Sequence, residues 1–277
     1  MSPRMSQWCT LALLLAMTLS LAVGLLAWGP VQLDGADHLY ADQRLLLGLP
    51  NAVNTLACLP LIAAGLWGMR ATLRSHWPAA LRAPWLGFFA LVTAVSVNSV
   101  AYHVAPSDLG HAMSELFAAG AFTLLLLGFL AERAHPAFGS RLPVAAGLGA
   151  AALAGLYWAA GQWSSGQGDL RVLLLLQCLP ILLIPAGALT LPGPHTTTAD
   201  WLWMLCLYTA ARLAGLGDAA LFDATGWISG HTLMHLLLAA VAWRLAYRAG
   251  MASEGDAARG EAALEPSRDS TSLNTSS

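Results

Sequence analysis

Three histidines carry the strongest chemical signal in this 277-residue chain. His231 and His235 stand one helical turn apart in Gly-His-Thr-Leu-Met-His, and His103 ends Ser-Val-Ala-Tyr-His. Imidazoles at i and i+4 share a helix face, and a third from a neighbouring helix completes the three-nitrogen set of a catalytic zinc site with its fourth position open. A lone histidine in a membrane more often bonds between helices; three at one depth favour a metal. Ser99, one turn before His103, faces the same way, so its hydroxyl is placed either to donate to a developing oxyanion or to bond back to a helix carbonyl. Asp108, His111, Ser114 and Glu115 follow in a short loop and first helical turn, while Arg212, Asp218 and Asp223 precede His231. The acidic residues alternatively complement helix dipoles, and Arg212 alternatively pairs with an aspartate.

The elements that must position these groups are membrane helices. Hydrophobic residues make up 57% of the chain and charged ones only 10%, far less charge than a soluble domain carries. Apolar stretches of spanning length fall near 8–28, 52–70, 84–103, 111–131, 143–161, 171–191, 200–216 and 227–247. The fold class is therefore all-α integral membrane, in eight segments. Residues 1–28 read as an N-terminal membrane anchor or a signal-like segment, and the long apolar run with a poor cleavage site favours the anchor. Residues 29–249 form the membrane domain. Residues 250–277, rich in Ser, Glu, Asp and Thr, read as a disordered tail.

Arg4, Arg70, Arg74, Arg82, Arg133, Arg141, Arg244 and Arg248 fall on one side of this tracing, against mainly Arg44 and Arg171 on the other. Positive loops face the cytoplasm, so both termini are expected there. The tracing, made without the histidines, puts His103, His231 and His235 at similar depth near the extracytoplasmic face.

Three stretches together resemble the alkaline ceramidase family, in its bacterial type, within the membrane hydrolase superfamily that also contains the adiponectin receptors. They are Tyr-Ala-Asp-Gln-Arg with Gly-Leu-Pro-Asn-Ala-Val-Asn (Tyr40 to Asn54), Ser-Val-Ala-Tyr-His followed by Ala-Pro, and Ser-Gly-His-Thr-Leu-Met-His. The resemblance covers roughly residues 37–247. It implies a seven-helix bundle with residues 8–28 as an extra helix, zinc on His103, His231 and His235, and Ser99 in the site. It also implies hydrolysis of the amide of ceramide-like or other N-acyl lipids to a sphingoid base and a fatty acid. A membrane lipid is then the expected partner and a nucleic acid is not; the oligomeric state is open.

The chain departs from the family where a catalytic aspartate is usual: counting without gaps from His103, that position is Ser114. Serine at its ordinary pKa is a poor proton carrier, which leaves Glu115, Asp108 or His111 to substitute. The family's calcium site would fall on Asp37, Asp42 and Asn51, too few carboxylates for an ion that takes six to eight oxygens; tight calcium binding is not expected, and a helix cap is the alternative. A zinc-containing receptor-like or catalytically silent relative is the alternative to the enzyme. A retinal photoreceptor is excluded, because its chromophore needs a lysine Schiff base and the chain has no lysine. No internal repeat suggests a transporter. Cys9, Cys58, Cys178 and Cys206 read as packing residues, and Gly147, Ala151 and Gly155 as a close-packing stripe.

Overall fold

The computed structural model of the protein describes residues 3–264, with side chains at Cys9 and from Ala12 to Met251. Among these residues every regular element is a helix. After α1 (Pro3–Trp28), an irregular strap carries a 3₁₀ turn at Gly35–His38 and leads into α2 (Ala52–Ala57) and α3 (Leu59–Arg74). Then follow α4 (Ala79–Val104), α5 (Asp108–Arg133), α6 (Arg141–Ser165), α7 (Arg171–Thr190), α8 (Thr198–Leu216), α9 (Asp218–Thr225) and α10 (Gly230–Leu264).

Five spans are long and apolar enough to cross a membrane: α2 with α3, then α4, α5, α6 and α7. A sixth is added if α8 and α9, bent by 79° at their junction, count as one. That composition is that of a multi-pass membrane protein. In α10 the apolar run is interrupted by His231, His235, Arg244 and Arg248.

Two stretches differ from the sequence expectation. The 52–70 segment is broken at Cys58 because Pro60, in the first turn of α3, has no amide proton to continue the ladder. At the other end α10 continues to Leu264, past the expected start of the tail at residue 250. Residues 251–264 carry five Ala, two Glu and one Arg, good helix formers, against two Gly. Residues 265–277, the rest of that expected tail, lie outside the described residues.

Six helices close into a ring, each packed on the next: α3 on α4, α4 on α5, α5 on α7, α7 on α8, α8 on α10, and α10 back on α3. The helix α6 sits outside the ring on α5, and α1 outside on α7. The small-residue stripe of α6 allows the first contact, since a Cβ on Gly147 would lie 2.7 Å from Thr123 Cγ2. At one end of the ring Trp85, Phe129 and Trp201 pack ring on ring, with centroids 5.1 Å apart for Phe129–Trp201 and 6.3 Å for Trp85–Trp201. This aromatic floor buries large apolar surfaces. Asp200 ties α8 to α10 there through Arg244 and Arg248.

Candidate metal centre

At the other end of the ring, local sequence chemistry fixes where each histidine points. The helix α10 starts against the α8–α9 corner, where a Cβ on Gly230 would fall 2.0 Å from the Ala214 carbonyl oxygen; only glycine permits that approach. The start is capped by Ser229 Oγ, which accepts from Thr232 N at 3.1 Å. Asp218 Oδ1 accepts from His231 N at 2.7 Å. Buried Asn54 Oδ1 accepts from Thr232 Oγ1 and Ser229 Oγ, joining α2 to α10. His103, in the last turn of α4, has its carbonyl held by Asn51 Nδ2 at 2.8 Å.

These constraints bring the three imidazoles together. His103 Nε2 and His231 Nε2 each lie 3.1 Å from His235 Nε2, and the ring centroids are 4.9–5.2 Å apart. An imidazole Nε2 has one in-plane direction, filled by either a proton or a lone pair, so His235 cannot bond in line to both neighbours. A cation between His235 and a neighbouring imidazole fits these approaches. With Zn–N bonds of about 2.1 Å, a 3.1 Å separation corresponds to an N–metal–N angle of about 95°, compressed from tetrahedral. His103 Nδ1 is buried without a partner, so nothing on the opposite edge of that ring competes for its orientation.

A fourth group joins them that sequence reasoning assigned to packing. Cys58, fully buried at the α2–α3 break, places Sγ 3.9 and 4.0 Å from the two ring nitrogens of His235. Cys58, His103 and His235 offer ligand atoms within 4.8 Å of one another, a group able to hold a metal ion. The sulfur lies beside the His235 ring rather than in line with its Nε2. Tyr40, from the strap, covers the cluster: its ring packs edge-on against His103 and tilted against His231, with centroids 4.9 and 4.7 Å away. Burial raises the Tyr40 phenol well above its ordinary pKa, so it stays neutral. The sequence signals for these two were the Pro60 break and the aromatic in the strap motif.

The cluster opens onto a cavity of about 260 Å³ inside the helix ring. Its wall is apolar except near the histidines, where Ser99, Ser114, Glu115, Gln177, Arg212 and His235 line it. Ser99 Oγ donates to the Val95 carbonyl at 2.9 Å, the back-bonded arrangement. Ser114 Oγ accepts from Asn98 Nδ2 at 2.7 Å. Glu115 Oε2 accepts from Gln177 Nε2 at 2.6 Å, and its Oε1 faces His111 Nε2 at 3.6 Å.

Asp108, in contrast, does not line the cavity. Its oxygens accept from Gln162 Nε2 at 3.0 Å and meet His38 Nε2 at 2.9 Å, with the side chain 45% exposed. It is the first residue of α5, about two turns before Glu115 and on nearly the same face, so it lies beyond the end of the cavity rather than on its wall. His111 bridges the two regions, with Nδ1 3.3 Å from the Tyr102 hydroxyl.

The three residues considered for calcium have separate partners. Asp37 accepts from Asp34 N at 2.8 Å in the capping box of the 3₁₀ turn. Asp42 pairs with Arg44 through contacts of 2.6 and 2.8 Å; those hydrogen bonds, opposed by burial, hold its carboxyl below the ordinary value. Asn51, in the left-handed region at φ 45°, makes no side-chain cap on α2 and bonds the His103 carbonyl instead. Asp218, offered as a partner for Arg212, uses its second oxygen on Ala41 N at 2.9 Å. No protein-family model, curated protein or solved structure matches this chain. The case for the site therefore rests on its geometry.

Proposed function

We propose that this protein is a zinc-dependent intramembrane hydrolase of lipid amides, of the ceramide-like or other N-acyl class. The observation that carries the reading is the approach of His103 Nε2 and His231 Nε2 to within 3.1 Å of His235 Nε2, with His235 at the polar end of a cavity whose remaining wall is apolar. Such a cavity holds one acyl chain and presents the bond at its polar end to the histidine cluster. The bundle is then read as the seven-helix ceramidase-like domain with α1 added. Both termini face the cytoplasm and the cluster lies near the extracytoplasmic face, as the arginine bias requires.

Zinc on His103, His231 and His235 would supply Lewis acidity and lower the pKa of a ligand water toward about 7. The chain's own groups supply the rest. Glu115 is the carboxylate on the cavity wall, and Gln177 fixes its orientation, so it is the group to take a proton and return it to the leaving nitrogen. Ser114 Oγ accepts from Asn98 and has no acceptor for its own proton among the described residues, which leaves that proton free for a lipid carbonyl. Tyr40 and the strap exclude water from the outer side of the imidazoles.

One observation favours a catalytically silent, receptor-like relative. Ser114, where a carboxylate is expected, is engaged by Asn98. Fatty-acid release from a series of ceramides and N-acyl lipids by the purified zinc-loaded protein separates the two, with His235→Ala as the blank. The hydrolase reading expects turnover that Glu115→Gln lowers by about 10²–10⁴-fold, with Ser114→Asp at least as active as the wild type. Wild type and Ser114→Asp that both match the blank on every lipid amide would leave the silent reading standing.

A further inference from the structure

Arg212 lines the polar end of the cavity. It sits on α8 one helical turn before the 79° bend into α9. The carboxylates near it are committed elsewhere: Glu115 to Gln177 and His111, and Asp218 to the backbone amides of His231 and Ala41. Among the described residues Arg212 makes no hydrogen bond, salt bridge or cation–π contact; it is exposed, and its charge is met only through space, by Glu115. The other arginines at this end form salt bridges: Arg44 with Asp42, and Arg171 with Asp169. A guanidinium at a cavity in a membrane helix, with no direct salt bridge to hold it, is a candidate for a substrate contact.

The surroundings narrow that anion. A guanidinium fork matches a carboxylate through two parallel bonds. Only one cationic side chain lines the cavity, and the Glu115 carboxylate shares its wall, so a monoanion is accommodated where a dianionic phosphate is repelled. The apolar wall beyond extends along α10 from His235 to Leu245, about 15 Å at the rise of a helix, which suits one extended acyl chain.

Resting on the reading of this cavity as a lipid-amide site, we propose that Arg212 is its carboxylate-binding residue. The lipid held is a single-chain anion: either an amide with an amino-acid-like head, or the fatty acid that amide cleavage releases. With the chain in the apolar body and the amide at the histidines, Arg212 is the cation left to meet the charged group. The role is selection of substrate or retention of product, not bond cleavage.

The test is equilibrium binding to the full-length protein in nanodiscs, so that it does not depend on turnover. Four ligands separate the two sources: palmitate against hexadecanol, and the hydrolysis-resistant hexadecanesulfonyl amides of glycine against those of ethanolamine. A charge-assisted pair is worth about tenfold or more in affinity. The wild type is expected to prefer at least one acid over its neutral partner by that factor. Arg212→Gln should erase the preference while leaving the neutral ligand's affinity unchanged, and Arg212→Lys should keep part of it. Loss confined to the glycine conjugate assigns the carboxylate to the head, loss confined to palmitate assigns it to the released acid, and loss of both admits either. Equal wild-type affinity within both pairs, or a preference that survives in Arg212→Gln, overturns the inference, as does failure of all four lipids to bind. If the zinc-loaded protein turns over ceramides while these acids show no preference, the inference falls and the hydrolase reading stands. If acids are preferred without amide turnover, the hydrolase reading falls alone.

Discussion

Shortening the cavity should change which chain lengths the protein accepts. Ala242 lies on the cavity wall two turns past His235 on α10, about 10 Å along the helix, so about 5 Å of the apolar body lies beyond it before Leu245. Ala242→Phe puts a ring across that passage. The closed-off end holds about four methylenes, and at about 0.8 kcal/mol each their exclusion removes about 3 kcal/mol. That is about two hundredfold in affinity. The assay is competition binding of N-acyl lipids from ten to eighteen carbons, read together with their hydrolysis. Sixteen- and eighteen-carbon chains should lose about that factor while the ten-carbon chain is unaffected, and the short chain also reports that the variant is folded. Equal loss at every length, or none at any, would refute the assignment of the acyl chain to this cavity.

Two further outcomes follow from the strap and the arginines. Asp42→Asn removes the carboxylate that holds Arg44, and should lower the thermal midpoint by a few degrees near neutral pH. Because the folded carboxyl is held below its ordinary value, its contribution is present above about pH 4 and is lost as pH falls through the depressed value. Wild type and variant should therefore converge in acid, and a gap that persists there would refute the pairing. Reporter fusions after Gly250 should read cytoplasmic and fusions at 105–107 and 226–229 extracytoplasmic; the reverse pattern would overturn the orientation.

Much of the helical layout was legible because apolar runs of spanning length leave few alternatives, and each predicted segment overlaps a helix. The histidine cluster was legible for a different reason: i and i+4 spacing fixes two rings on one face whatever their neighbours do. Cys58 was not, since its place beside His235 depends on a helix break whose direction no local pattern states. Asp108 and Glu115 could not be ranked from spacing, because seven residues put them on nearly one face of α5 and only their depth, set by the neighbours that α5 packs against, separates them. The Arg212–aspartate pair failed because Asp218 found backbone amides first, at His231 and Ala41. The Ala- and Glu-rich end of α10 looked like tail by polarity, yet its helix propensity carried it to Leu264.

The central claim is that His103, His231 and His235 hold one metal ion between them, and metal content by mass spectrometry of the purified protein tests it most directly. The account predicts one zinc per chain, lost in each of His103→Ala, His231→Ala and His235→Ala and retained in His38→Ala, His76→Ala, His135→Ala and His195→Ala. It predicts too that Cys58→Ser keeps the ion, since its sulfur lies beside the His235 ring rather than in line with its Nε2. Full zinc occupancy in a His231→Ala, His235→Ala double variant would contradict it.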